Sequence, residues 1–341
     1  MHPLDNKLIG KGCFCSQNGE PTENQIHPKG NWVCAGMNGT LPTKSYWQPS
    51  DEQCASKGRN ITPEKACNAL LQFGEVVFVG DSISRQFFQG LLVLLTDDWQ
   101  AGSLWSARLV DHNQQWGNAN WFRWWPLGQD GKNTDPACQG PIQQFDEGCR
   151  MNVVLDTTNL TRICGGHLKM RFWHSWHTGA GFEELLSTVV PHLSPNALVV
   201  TNTGMHPGFG GTAMQDWMNG ILQRAPFGTQ VIWHTNDPPG TKKPIQYLPH
   251  QGRETIYKEL LKSVRVMDDL QSKFPQHVID LISFWNVTEK ANSQCTHDLS
   301  LSSSDGTHYP LLVNEEKARL LVIKIQEKCA AVRLKKIGLS R

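Results

Sequence analysis

Three residues that are far apart in the chain have the side chains that a nucleophilic acyl transfer requires. Ser82 follows a short apolar run at residues 76–79, whereas Asp305 and His308 lie near the other end of the sequence. A serine hydroxyl becomes a good nucleophile when a base accepts its proton, and a carboxylate orients the imidazole and stabilises its charged form. The spacing of Asp305 and His308 lets the carboxylate reach one imidazole nitrogen and leaves the other free. The sequence therefore predicts a triad of Ser82, His308 and Asp305.

The candidate nucleophile belongs to the stretch EVVFVGDSISR at residues 75–85. Its β-branched apolar run is typical of a strand buried on both faces, which ends at Gly80 before a helix predicted at residues 83–95. Ser82 would then lie at a helix N-terminus, where free N–H groups and the helix dipole favour a developing negative charge. The alternative is a plain strand-to-helix turn in which Asp81 or Ser82 caps the helix. We assign Asp81 to shaping this turn rather than to the triad.

The rest of the chain indicates which elements would position these residues. Strands and helices alternate from residue 75 onward, as in a parallel sheet covered by helices on both faces. The further strands are predicted at residues 167–173, 196–201, 230–235 and 277–281, and the further helices at 181–192, 214–224, 254–274 and 314–329, with a polar loop before the last helix. Ligands bind at the carboxyl ends of such strands, so the turns at Ser82, Asn202 and Asp237 should come together.

We divide the chain into a Cys-rich N-terminal subdomain at residues 1–70 and a catalytic domain at residues 71–341. None of the ten cysteines forms the Cys-x-x-Cys pair of a zinc ribbon or a thioredoxin-type site, so a disulfide framework accounts for them better. Disulfides imply the secretory pathway. The N-terminus has no apolar signal-peptide core, so secretion would require that a signal or membrane anchor has been removed. Half of the cysteines precede the first core strand: Cys13, Cys15, Cys34, Cys54 and Cys67.

A Trp-rich insert is predicted at residues 97–150, between the first helix and the second core strand. Loops of this length are uncommon unless they have a function. Tryptophan rings can stack on sugar rings, which would suit a glycan substrate, but they also pack segments that lack regular structure. Both roles stay open. Four Asn-x-Ser/Thr sequons, at Asn38, Asn60, Asn159 and Asn286, exceed the number expected by chance only slightly.

The charge and hydropathy of the sequence argue against general binding to nucleic acid and against a membrane-spanning helix. Lysine and arginine total 32 against 31 acidic residues, so no general attraction to nucleic acid or to an acidic membrane is expected. No apolar run is long enough for a transmembrane helix.

His174 and His177 could bind a metal in principle, but no third ligand is indicated, and His206 and His234 are further competing histidines. We expect no metal and no cofactor.

The motifs together resemble the SGNH/GDSL-type hydrolases, specifically the PC-esterase group, which includes the plant trichome-birefringence-like polysaccharide O-acetyltransferases and the sialic acid O-acetyltransferase. The similarity covers about residues 13–329. It is carried by the Cys-rich lead-in with Trp47-Gln48-Pro49, by Phe78-Val79-Gly80-Asp81-Ser82-Ile83-Ser84-Arg85, by Asn202-Thr203-Gly204 and by Asp305-Gly306-Thr307-His308. An α/β-hydrolase is disfavoured because Ser82 lacks the Gly-x-Ser-x-Gly elbow.

This resemblance implies an α/β/α three-layer SGNH-hydrolase-like fold with a mostly parallel central sheet. It also implies an O-acyl(acetyl)transferase that transfers an acetyl group from a donor co-substrate to a glycan hydroxyl through a Ser82 acyl-enzyme, in the Golgi lumen or outside the cell. The Asn202 side chain and the Ser82 N–H would belong to the oxyanion hole, and Gly204 and Arg85 would lie at the oxyanion or substrate side. The alternatives are an esterase with the same triad and a catalytically inactive secreted binding module.

Overall fold

The computed structural model describes residues 30–33, 46–49, 61–97, 153–155, 163–175, 180–205, 211–294, 303, 306–309 and 311–336. Most of the predicted 1–70 subdomain and almost all of the Trp-rich insert at 97–150 lie outside the described residues. Asp305 lies outside them as well. The described part contains the core sheet, the helices that cover it, and the segments with Ser82 and His308.

The strands are β1 (Gly30–Val33), β2 (Tyr46–Pro49), β3 (Val76–Gly80), β4 (Val153–Leu155), β5 (Met170–His174), β6 (Leu198–Thr201), β7 (Gln230–His234) and β8 (Val278–Ile282). The α-helices are α1 (Pro63–Leu70), α2 (Ser82–Thr96), α3 (Ala180–Glu184), α4 (Gly211–Arg224), α5 (Leu248–Gln251), α6 (Arg253–Lys273), α7 (Trp285–Gln294) and α8 (Leu311–Lys336). None of the helices in this part of the chain is both long enough and apolar enough to cross a membrane.

The central sheet has the strand order β4-β5-β3-β6-β7-β8. Strands β5, β3, β6, β7 and β8 run parallel, and β4 pairs antiparallel with β5 at one edge. The chain goes from β3 to β5 on one side and then to β6 on the other, so the strand order reverses at β3. In open parallel sheets, such a reversal opens a crevice at the carboxyl ends of the two central strands, where ligands bind. The prediction of an α/β protein with a mostly parallel sheet is confirmed.

Helices pack on both faces of this sheet. On one face, α1, α2 and α8 bury a cluster that includes Phe78, Phe172 and Val200. On the other face, α4 and α6 bury a cluster that includes Val79, Val199 and Trp233. Both clusters draw alternate residues from the same strands, because successive side chains of a strand point to opposite faces. Every residue of β3 and β6 is buried, as the continuous apolar runs predicted.

Helix α2, predicted at residues 83–95, is buried on nearly all sides. Apart from Ser82, Arg85 and Thr96, all of its residues are buried, and they include the polar residues Gln86 and Gln89. The helix lies between the sheet and α8, and at Gly90 a β-carbon would overlap the backbone of Asn314. Because α2 is enclosed in this way, Ser82 at its start has a fixed position relative to the sheet.

Several elements differ from the sequence prediction. The predicted helix at 181–192 is α3 followed by a π-helical turn (Leu185–Val189) and a 3₁₀ turn (Val190–His192). Pro191 lacks the N–H that a regular α-helix would need at this point. Residues 285–294, predicted as part of a polar loop, form α7, because Trp285, Val287 and Ala291 are buried against neighbouring elements.

Helix α1 and a disulfide connect the end of the predicted Cys-rich region to the core. Cys67 of α1 is bonded to Cys164, which begins the 3₁₀ turn (Cys164–Gly166) before β5. Leu70 of α1 belongs to the same apolar cluster as α2 and α8. The other cysteine side chains lie outside the described residues, so the rest of the predicted disulfide framework stays a prediction.

Candidate active site

Ser82 and His308 are brought together at the carboxyl end of β3, although 226 residues separate them in sequence. The distance from Ser82 Oγ to His308 Nε2 is 2.7 Å, and both side chains are half-buried. In the tautomer that carries its proton on Nδ1, His308 accepts a hydrogen bond from the serine hydroxyl. This is the geometry that a general base needs in order to remove the hydroxyl proton.

The position of Ser82 follows from the turn that precedes it. Asp81 is the N-cap of α2, and its Oδ1 accepts from the N–H of Ile83 at 2.8 Å. Its other oxygen, Oδ2, accepts from the N–H of Met205 at 3.0 Å. Ser82 is therefore the first helical residue, and its N–H belongs to the first turn, where backbone donors have no intrahelical carbonyl partner. Asp81 shapes the turn, as the sequence indicated, and also fixes the loop that follows β6.

The loop after β6 passes so close to this turn that residue 204 must be glycine. Gly204 has a φ of +79°, and a β-carbon at this position would overlap the Asp81 carboxylate. An L-residue with a side chain would therefore be strained in its backbone and would also push the N-cap of α2 aside. The predicted site residue Gly204 thus lies next to the nucleophile turn and allows the two loops to touch.

Asn202 is completely buried, and its side-chain amide is engaged within the protein. Its Nδ2 donates to the carbonyl of His234 at 3.1 Å and to Oδ1 of Asn236 at 2.8 Å, while its Oδ1 accepts from the N–H of Gly204. Asn236 in turn donates to the carbonyl of Gly204 at 2.9 Å. In this arrangement Asn202 and Asn236 hold the Gly204 loop. A hydrogen bond from Asn202 to an oxyanion would require it to give up one of these acceptors, so its oxyanion role stays a prediction.

Arg85 lies one turn along α2 from the start of the helix, and its N–H donates to the Asp81 carbonyl at 3.0 Å. Its side chain is half-buried on the same helix as the nucleophile. The predicted substrate contact of Arg85 stays a prediction.

A second serine and histidine pair, which the sequence did not predict, lies in the core behind Ser82. The Ser84 hydroxyl lies 2.8 Å from His234 Nε2, and both residues are buried. Burial, reinforced by the nearby Lys317 ammonium, lowers the pKa of His234 from 6.5 to about 3, although the carbonyl of Thr235 partly opposes this shift. His234 is therefore neutral and accepts from the Ser84 hydroxyl, with Nδ1 carrying the proton. The hydrogen bond joins α2 to β7. Because both side chains are buried, the pair is not accessible to a substrate.

An ion pair is buried beside the candidate site. Lys317 Nζ of α8 lies 2.5 Å from Asp237 Oδ2, and the two side chains are 1% and 3% exposed. The ammonium also lies over the rings of Tyr309 and Phe284, at 5.4 and 5.7 Å from their centres. Burial raises the pKa of Asp237, and the Lys317 ammonium opposes this shift. Burial also lowers the pKa of Lys317, and the Asp237 carboxylate opposes that shift. The Asp81 carboxylate adds to the rise in the pKa of Asp237, and a positive charge on His308 would oppose it.

The predicted turns at Ser82, Asn202 and Asp237 do come together. Their common location could be inferred from the sequence, because each follows an apolar strand of a parallel sheet. The link between Ser84 and His234 could have been suspected only from their positions, one just after β3 and the other at the end of β7. His177 and His206 lie outside the described residues, and His174 ends β5 opposite Gly80. The part of the chain that the structure describes holds no group of three His, Cys, Asp or Glu residues that could bind a metal.

The fold and site together define an α/β protein that has a hydrogen-bonded serine and histidine pair where its strand order reverses. Searches of protein-family models and of curated proteins found no match to this chain. The sequence motifs and the geometry of the Ser82 and His308 pair are the features of this chain that bear on its function.

Proposed function

We propose that the protein is an O-acyltransferase that moves an acetyl group onto a glycan hydroxyl through an acyl-enzyme on Ser82. The observation that carries this proposal is the 2.7 Å distance between Ser82 Oγ and His308 Nε2 at the N-terminus of α2. A nucleophile, a base and the N–H donors of a helix N-terminus at one point are the components that acyl transfer needs.

In the first half-reaction, Ser82 Oγ attacks the carbonyl carbon of the acetyl donor and its proton passes to His308 Nε2. The negative charge that forms on the carbonyl oxygen would be stabilised by the N-terminus of α2, where each well-aimed donor lowers the barrier by about 3 kcal/mol. When the intermediate collapses, the bond to the donor's leaving group breaks, and this group takes the proton from His308. The product is an acetyl ester of Ser82.

In the second half-reaction, a sugar hydroxyl gives its proton to His308 Nε2, and its oxygen attacks the ester carbon. The bond to Ser82 Oγ breaks, and the serine recovers its proton from the imidazole. Asp305 is proposed to accept from His308 Nδ1 and to keep Nε2 directed at Ser82. Gly204 and Arg85 are proposed to border the substrate, and Asn202 to contribute to the oxyanion hole after exchanging one of its present acceptors.

We also propose that the fold is of the SGNH-hydrolase type, with three α/β/α layers. Three features support this proposal: the parallel strand order β5-β3-β6-β7-β8, the nucleophile directly after the first of these strands in the chain, and the base before the last helix. The disulfide between Cys67 and Cys164 supports a protein of the secretory pathway, acting in the Golgi lumen or outside the cell.

Hydrolysis is the second candidate function, because the same Ser82 and His308 geometry would serve water as well as a sugar hydroxyl. The two functions differ in whether the pocket holds a glycan and excludes water. The 2.7 Å contact favours either enzyme over the inactive binding module, since a module without catalysis needs no aligned nucleophile and base.

The test is intact-mass analysis of the full chain after incubation with an activated acetyl ester, followed by peptide mapping. We expect one acetyl group on Ser82 and none in Ser82→Ala, which should fold normally because the hydroxyl is half-buried at a helix start. Ser187→Ala, which removes an exposed serine hydroxyl, is the matched control. Adding an oligosaccharide acceptor should lower the release of free acetate and yield acetylated sugar instead, because the sugar hydroxyl then competes with water for the Ser82 ester. Acetate release that the acceptor does not change would favour the esterase, and acetylation at another serine would refute the mechanism.

A further inference from the structure

The segment at residues 237–243, which follows β7, contacts the chain on both sides of His308. Before the histidine, the N–H of Gly240 donates to the carbonyl of Gly306 at 2.9 Å. After the histidine, the hydroxyl of Tyr309 donates to the carbonyl of Pro238 at 2.9 Å. The position of the candidate base is therefore set by a segment that follows β7, a strand that β6 separates from β3 in the sheet.

One side chain of this segment reaches the residue next to the base. Lys243 Nζ donates to Oγ1 of Thr307 at 2.7 Å. Lys243 is only 8% exposed, and its ammonium lies 5.5 Å from the centre of the Tyr247 ring. A hydrogen bond from a charged donor is stronger than one between neutral groups, and removing water from around it strengthens it further.

The backbones at this contact are packed without space for a side chain. Gly306 has a φ of +76°, and a β-carbon there would overlap the backbone nitrogen and α-carbon of Lys243. The N–H of Lys243 is itself fixed by the carbonyl of Gly240 at 3.0 Å. The backbone of Lys243 thus supports Gly306 while its side chain holds Thr307.

We propose that Lys243 is a positioning residue for His308. In this role it acts through Thr307, which it holds so that the imidazole of the next residue stays in line with Ser82 Oγ. This inference rests on the proposed function, because it assigns to Lys243 a part in the same acyl transfer. Loss of the ammonium would loosen Thr307 and move His308 off the nucleophile, so the rate of acylation should fall while binding of the acyl donor changes little.

The experiment compares variants of the full chain by the rate at which a fluorophosphonate probe labels Ser82. Lys243→Met and Thr307→Val should each slow labelling by about tenfold, and the double variant should be no slower than either single one, because both remove the same hydrogen bond. Lys243→Arg, which keeps a charged donor, should recover most of the rate. Lys242→Met is the matched control, since it removes an exposed lysine from the adjacent position and should label like the wild type.

Turnover of p-nitrophenyl acetate gives the second measurement, in which Lys243→Met should lower kcat and leave KM nearly unchanged. Labelling of Lys243→Met at the wild-type rate would overturn the inference, and so would a double variant whose loss is the product of the two single losses. Either result leaves the proposed function standing if the wild type is labelled at Ser82.

Hydrogen exchange measured by mass spectrometry separates the two proposals when activity is absent. Exchange in the peptide covering residues 303–311 should rise in Lys243→Met and in Thr307→Val but not in Lys242→Met. Unchanged exchange would overturn the role of Lys243 whatever the activity. A wild type that is never labelled refutes the proposed function, even if its exchange responds as expected to the loss of Lys243.

Discussion

The buried imidazole of His234 should make the protein less stable as the pH falls. The substitution His234→Gln should remove this part of the pH dependence. Burial and the Lys317 ammonium lower the pKa of His234 from 6.5 to about 3 in the folded chain. Below pH 6.5 the unfolded chain therefore takes up a proton at this residue, whereas the folded chain stays neutral there until about pH 3. Acidification therefore favours the unfolded state over this whole interval.

The magnitude follows from this difference in pKa. Once the pH is below the unfolded value, each further unit removes about 1.4 kcal/mol from the free energy of unfolding. Between about pH 7.5 and pH 5, His234 should therefore account for a loss of about 2 kcal/mol. His234→Gln keeps an acceptor that can reach the Ser84 hydroxyl but cannot be protonated, so its unfolding free energy should fall by about 2 kcal/mol less over the same interval.

The assay is urea denaturation followed by tryptophan fluorescence across this pH range, with the disulfides kept oxidised. Comparing how steeply the free energy of unfolding changes with pH in the two proteins cancels the contributions of the other titrating groups, which both proteins share. His234→Gln should also be less stable at neutral pH, because the ring packs edge-on against Phe87. His250→Gln, at an exposed position in α5, is the control and should follow the wild type. Equal slopes for the wild type and His234→Gln would refute a buried, neutral His234.

Two further substitutions test the packing around the site. Gly204→Ala should lower stability by about 2 kcal/mol or more in urea denaturation and slow labelling of Ser82, because it adds backbone strain and a clash with Asp81. Gly228→Ala, also at positive φ but with open space around its β-carbon, should lose only about 1 kcal/mol and label normally. Lys317→Met should lower the unfolding free energy by about 3–5 kcal/mol at neutral pH, because it leaves the Asp237 carboxylate buried without a cation. Adding Asp237→Asn to that variant should recover part of the loss, and no recovery would contradict a charge-based origin.

Much of the fold could be predicted because the hydrophobic pattern of each segment agrees with the burial of that segment in the folded chain. The apolar run at residues 76–79 predicted a buried strand, and β3 is buried throughout. The helix at residues 285–294 was missed because its buried positions, Trp285, Val287 and Ala291, are separated by polar residues typical of a loop. The edge strand β4 was missed for a different reason: three residues carry too little periodicity, and pairing with β5 is what defines it.

The candidate site, like the fold, could be predicted from the sequence only in part. Sequence alone indicated the kind of chemistry to propose, because a serine at a strand-to-helix turn combined with a histidine in the last loop favours serine-dependent acyl transfer. The tertiary structure decided that Ser82 Oγ and His308 Nε2 lie 2.7 Å apart, since parallel strands bring turns from distant parts of the chain to one edge of the sheet. It also decided that Ser84 and His234 are enclosed while Ser82 is half-exposed, and that Lys243 reaches Thr307. Such contacts join residues far apart in sequence, and only packing of the whole domain sets their distances.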